Sequence, residues 1–142
     1  MAKGLGPRRK IGKTFTMSGS RDVAPVTVPW IRHRNGGRRD ENYINVSADV
    51  QIYESYWFDG PQLTDFVFVL KVKFGSHWKE VAKVDCCHNA VHIHEYNQKS
   101  QETTKDLQVI AAPSDLRLGC EQAENLIFNQ IESHIRRWSR GR

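Results

Sequence analysis

The sequence predicts an α+β domain: a four- to five-stranded, mostly antiparallel meander with one long C-terminal helix packed on one face and an extended basic N-terminal arm. Three observations carry this. From Val46 onward apolar residues alternate with polar ones, beyond Pro113 they recur at helical spacing, and before residue 46 they follow neither period.

Residues 1–45 read as the arm. Gly4, Gly6, Pro7, Gly12, Gly19, Pro25, Pro29 and the Gly36-Gly37 pair interrupt any regular period. Phe15, Val26, Val28, Trp30 and Ile31 are too scattered to build a core. Charge separates the arm from the rest. Its first 45 residues hold ten Lys or Arg against three acids, whereas residues 46–142 hold eleven against thirteen. A basic arm suits an anionic partner, most often nucleic acid, although a short basic tail can also be a solvated one. Arg8, Arg9, Lys10, Arg32, Arg34, Arg38 and Arg39 are the expected phosphate contacts. Trp30 and Tyr43 lie among four arginines, a mixture able to stack on bases and hold phosphates.

Residues 46–142 read as the domain. Val46, Ala48, Val50 and Ile52 predict a first strand. A turn at Gly60-Pro61 leads to "FVFVLKVKF", in which Phe66, Phe68, Leu70, Val72 and Phe74 share a face. Gly75-Ser76 turns the chain into "WKEVAKVDCC", and "AVHIHEY" follows as a fourth strand. "NQKSQETTKD" reads as a loop and "LQVIAAP" as a short fifth strand. Ser114 or Asp115 can cap the final helix, whose stripe is Cys120, Ala123, Ile127, Ile131, Ile135 and Trp138, widened by Leu116 and Leu126. One apolar helix face and one apolar sheet face cover each other.

No apolar run reaches membrane-spanning length, and no hydrophobic segment follows the first lysine as in a secretory signal. Three cysteines, two of them adjacent, make a poor disulfide framework. A cytoplasmic protein without membrane contact is expected.

The densest chemistry is "VDCCHNAVHIHEY", residues 84–96, which holds three of the six histidines. A two-residue turn at His88-Asn89 places Cys87 opposite Ala90, Asp85 opposite His92 and Lys83 opposite His94. Val84, Cys86, Val91 and Ile93 then share an apolar face, and Lys83, Asp85, Cys87, His92 and His94 a polar one. Facing side chains lie about 5 Å apart at Cβ, so Asp85 can orient His92. His92 and His94 are the candidate acid and base, and Lys83 can stabilise developing negative charge. The plain alternative is a solvated polar face on an ordinary hairpin. His-X-His on a strand also suits a metal, but the chain lacks paired CxxC motifs and the spacing of cupin sites. No metal or cofactor is expected.

"WKEVAKVDCCHNAVHIHEY" followed by a helix resembles small bacterial and archaeal proteins that include the TumE-type toxins of toxin–antitoxin pairs. The likeness covers about residues 66–138 and rests on Trp78, Asp85, His88, His92 and His94. The chain lacks an Arg-Tyr-His stretch before the Trp and prolines beside the histidines, and its basic arm is extra. The resemblance implies a small α+β protein acting on RNA. Residues and resemblance together point to an RNA-directed protein, a metal-independent ribonuclease or toxin. The competing class is a non-catalytic module whose arm docks on nucleoprotein, a protein partner or another subunit.

Overall fold

The computed structural model describes residues 37–87 and 89–141. Six strands run Arg38–Ser47 (β1), Val50–Asp59 (β2), Gln62–Phe74 (β3), His77–Cys87 (β4), Ala90–Tyr96 (β5) and Glu102–Val109 (β6). They form one antiparallel sheet in sequence order. Two helices follow, Pro113–Asn129 (α1) and Ile131–Arg140 (α2). The α+β meander with a helical layer on one face is thus present, with differences at both sheet edges and in the helix.

The first strand expected from Val46 does not cross residue 48. Ala48 and Asp49 form a turn, and Ser47 pairs with Val50. Arg38–Ser47 is itself a strand, so the sheet begins inside the segment read as arm. It escaped notice because it is an edge strand, largely exposed, and needs no apolar alternation. The same reason explains β6: Glu102–Asp106 is exposed and reads as a loop, yet it pairs with β5.

The inner turns fall where expected. Gly60 and Gly75 take left-handed φ of 58° and 67°, which a glycine adopts without a Cβ penalty. The β4–β5 register matches the predicted one, with Cys87 facing Ala90, Asp85 facing His92 and Lys83 facing His94. Asn89 supplies the left-handed turn residue, φ 63°.

Phe66, Phe68, Leu70 and Val72 of β3 lie under the helices with Ile52, Val84, Val91 and Ile93. Leu116, Cys120, Ala123, Ile127 and Phe128 close the core from α1. Gly119 lets α1 approach β5 closely: a Cβ there would lie 2.5 Å from Val91 Cγ2. Phe74 stays half-exposed, edge-on to Trp138 at 5.6 Å.

The single long helix is broken at Gln130, whose φ of −128° leaves the helical region. The apolar stripe continues across the break, which is why periodicity alone does not reveal it. His134 stitches the two pieces: its Nε2–H donates to the Leu126 carbonyl in the last turn of α1 at 3.0 Å. Arg137 donates to His134 Nδ1 and to the Val81 carbonyl, both at 2.8 Å, tying α2 to β4. At the other end Pro113 is the first residue of α1, and neither Ser114 nor Asp115 is its N-cap. Asp115 Oδ2 instead accepts from the Ala111 and Ala112 N–H groups.

One core residue breaks the pattern. Glu54 lies fully buried on the helix face of β2. Tyr56 donates to its Oε1 at 3.0 Å, and Oε2 has no partner among the described residues. Burial pushes its carboxyl up to about 7.

Candidate functional site on the uncovered sheet face

Strand alternation sends Val84, Cys86, Val91 and Ile93 under the helices and Lys83, Asp85, Cys87, His92 and His94 to the opposite face. The four predicted site residues are therefore together, and the helices do not cover them. Their pairing differs from expectation. Asp85 faces His92 in the register, but it binds the diagonal neighbour: His94 Nε2–H donates to Asp85 Oδ1 at 3.1 Å. Lys83 Nζ stands 3.7 Å from the other Asp85 oxygen. Cys86 is core, as its position predicts. His88 lies outside the described residues.

Strand β6 contributes residues that the sequence reading missed. His92 Nδ1–H donates to Asp106 Oδ1 at 2.7 Å, and its Nε2–H to the Cys87 carbonyl at 2.9 Å. His94 Nδ1–H donates to Glu102 Oε2 at 2.5 Å, and Thr104 Oγ1 donates to the same oxygen at 2.9 Å. The signal was Glu102, Thr104 and Asp106 in alternation, invisible while this stretch counted as a loop. Each ring has a hydrogen-bond partner at both nitrogens.

The two imidazoles are mostly buried, whereas Glu102 and Asp106 are 42% and 67% exposed. Inner partners are thus fixed and outer ones stand at the solvent edge. The bond from His94 holds the Glu102 carboxyl below its usual value. Tyr96, on the same face, is pushed up to about 12, first by burial and then by the negative field of Glu102, Glu80 and Asp85. Three carboxylates meet one ammonium here, so the side chains around the two rings carry a net negative charge.

Of the expected phosphate contacts, Arg8, Arg9, Lys10, Arg32 and Arg34 lie outside the described residues. Arg38 and Arg39 lie in β1, on opposite faces. Arg38 pairs with Asp40 at 3.2 Å and covers the Phe58 ring. Arg39 binds Glu41, the Tyr53 hydroxyl and Ser55, and covers Trp57. Each guanidinium has a carboxylate of its own strand beside it. Among the described residues no group of three or more His, Cys, Asp or Glu side chains is arranged to hold a metal ion. No described helix is long and apolar enough to cross a membrane.

Fold and site together define a small α+β protein with a meander sheet, helices on one face and a histidine–carboxylate cluster on the other. Residues 37–142 match the family described as a domain of unknown function, DUF7718, and the chain belongs to that family. No curated protein and no solved structure matches it.

Proposed function

We propose that this protein acts on RNA, with the uncovered sheet face as its working surface. The observation that carries the reading is the Asp85–His94 pair beside Lys83, on the face the helices leave open. An imidazole oriented by a buried-side carboxylate is suited to proton transfer near neutrality, and an adjacent ammonium suits a phosphate. His92 and His94 share the acid and base roles, and Asp85 orients His94. Before a proton passes to substrate, Glu102 or Asp106 has to swing away, and their exposure on an edge strand permits this. The basic surplus of residues 1–45 points the same way.

A second reading has its own support. Both nitrogens of each ring already have protein acceptors. An RNA-binding module whose histidines only brace β4, β5 and β6 needs nothing more. Incubating the full chain with single-stranded RNA separates the two. Cleavage lost in His94→Ala supports catalysis. Binding without cleavage supports the module, and neither binding nor cleavage removes RNA from the account.

A further inference from the structure

The same open face carries a second group of side chains, away from the histidines. Tyr43 of β1 faces Tyr53 of β2, and the rings meet with centroids 4.9 Å apart. Lys71 of β3 reaches over the Tyr53 ring, its Nζ 5.7 Å from the centroid. Two residues along the same face of β3 comes Lys73, which faces Trp78 of β4. Tyr43 is 59% and Trp78 41% exposed, and the Tyr43 ring is tilted 46° to that of Tyr53.

Burial explains neither aromatic. Val69, between the two groups on this face, is 5% exposed, so apolar side chains here can be covered, yet these two rings are presented to solvent. Scattered exposed apolar residues are ordinary. Here, however, two flat rings flank two ammonium groups on one sheet face. Glu80 is the acid among them, opposite Lys71. Glu41, nearer Tyr43, is already held by Arg39 and Tyr53. Interleaved lysines make poor lining for an apolar protein partner. They suit a chain that alternates planar bases with phosphates, because stacking is tolerant of sequence and lysine meets phosphate as a point charge.

We propose that Tyr43, Lys71, Lys73 and Trp78 form a subsite for single-stranded RNA, with one base stacked on Tyr43, another on Trp78, and the intervening phosphates at the two lysines. Three strand spacings and four residues along β3 separate the rings by roughly 20 Å on the diagonal, a span of a few nucleotides. A duplex, whose bases are already stacked on each other, offers no faces to these rings. The subsite rests on the RNA reading above and adds to it the strandedness of the ligand and the place where it sits.

Fluorescence anisotropy with a labelled ten-nucleotide oligouridylate and the full-length protein tests this. Tyr43→Ala and Trp78→Ala are each expected to weaken binding about 5- to 100-fold. Tyr43→Phe and Trp78→Phe, which keep the ring, should stay near wild type. Lys71→Gln with Lys73→Gln should flatten the salt dependence. Circular dichroism of each variant checks the fold. Wild-type binding that both alanine variants retain overturns the subsite and leaves the RNA reading standing. Equal affinity for a duplex of the same length also overturns it. Failure of the wild type to bind any RNA overturns the RNA reading and the subsite together.

Discussion

Asp85 and His94 are joined across the β4–β5 pair on a diagonal, although the register sets Asp85 directly opposite His92. The diagonal leaves His92 to Asp106 of β6, which the β5–β6 register sets directly opposite it.

The diagonal ranks the variants. If the protein cleaves RNA, His94→Ala should lower the rate about 100-fold or more, in the range expected for loss of one proton-transfer group. Asp85→Asn should lower it too, and the double variant should be little worse than His94→Ala alone, since the two act as one unit. Single-turnover cleavage of a short oligoribonucleotide measures this. Additive losses would show that Asp85 and His94 act separately.

Glu54 makes stability depend on pH in an unusual direction for a carboxyl. Its folded value, about 7, lies above the ordinary 4.5, so the folded state holds the proton more tightly than the unfolded chain. Its contribution is complete below about pH 4.5 and is lost as pH rises through 7, roughly 3 kcal/mol over that window. Urea unfolding of wild type and Glu54→Gln from pH 4.5 to 8 should show that slope in the first and its loss in the second.

His134 acts in the opposite sense. Burial, the largest cause, holds its imidazole below the ordinary 6.5, and Arg137 adds to the effect. The folded state therefore prefers the neutral ring, which accepts from Arg137 and donates to Leu126. This contribution is present above pH 6.5 and falls away as pH drops through the lower folded value. His134→Ala should cost about 1–3 kcal/mol at pH 8, by leaving the Leu126 carbonyl and Arg137 short of a partner, and should cost less at pH 5. Unfolding midpoints at the two pH values decide it.

Gly119 is required by contact rather than by conformation. Gly119→Val drives a side chain into Val91 and should destabilise by about 1–3 kcal/mol, with part recovered in Gly119→Val/Val91→Ala. Chemical denaturation of the two variants checks this. Equal loss in both would place the cost in the helix rather than at the contact.

The sequence by itself determined the elements that bury an apolar face. Phe66 to Val72, Val84 with Cys86 and Val91 with Ile93 alternate because one side of each strand meets the helices, and Leu116 to Ile127 repeat at helical spacing for the same reason. The same alternation fixed the register around His88-Asn89, since a slip of one residue would turn Val84 and Ile93 out of the core. Tertiary structure alone decided what has no such face to bury. Arg38–Ser47 and the Glu102–Asp106 part of β6 are strands because a neighbouring strand offers them hydrogen bonds, and neither carries an apolar alternation. The break at Gln130 is held by His134 reaching back across it to the Leu126 carbonyl and by Arg137 reaching the Val81 carbonyl, 56 residues away. The partners of the histidines were hidden likewise. That His92 and His94 share a face follows from their spacing, but that Asp106 and Glu102 hold them follows from where β6 lies: the register sets Asp106 directly opposite His92, whereas His94 faces Thr104 and reaches diagonally to Glu102.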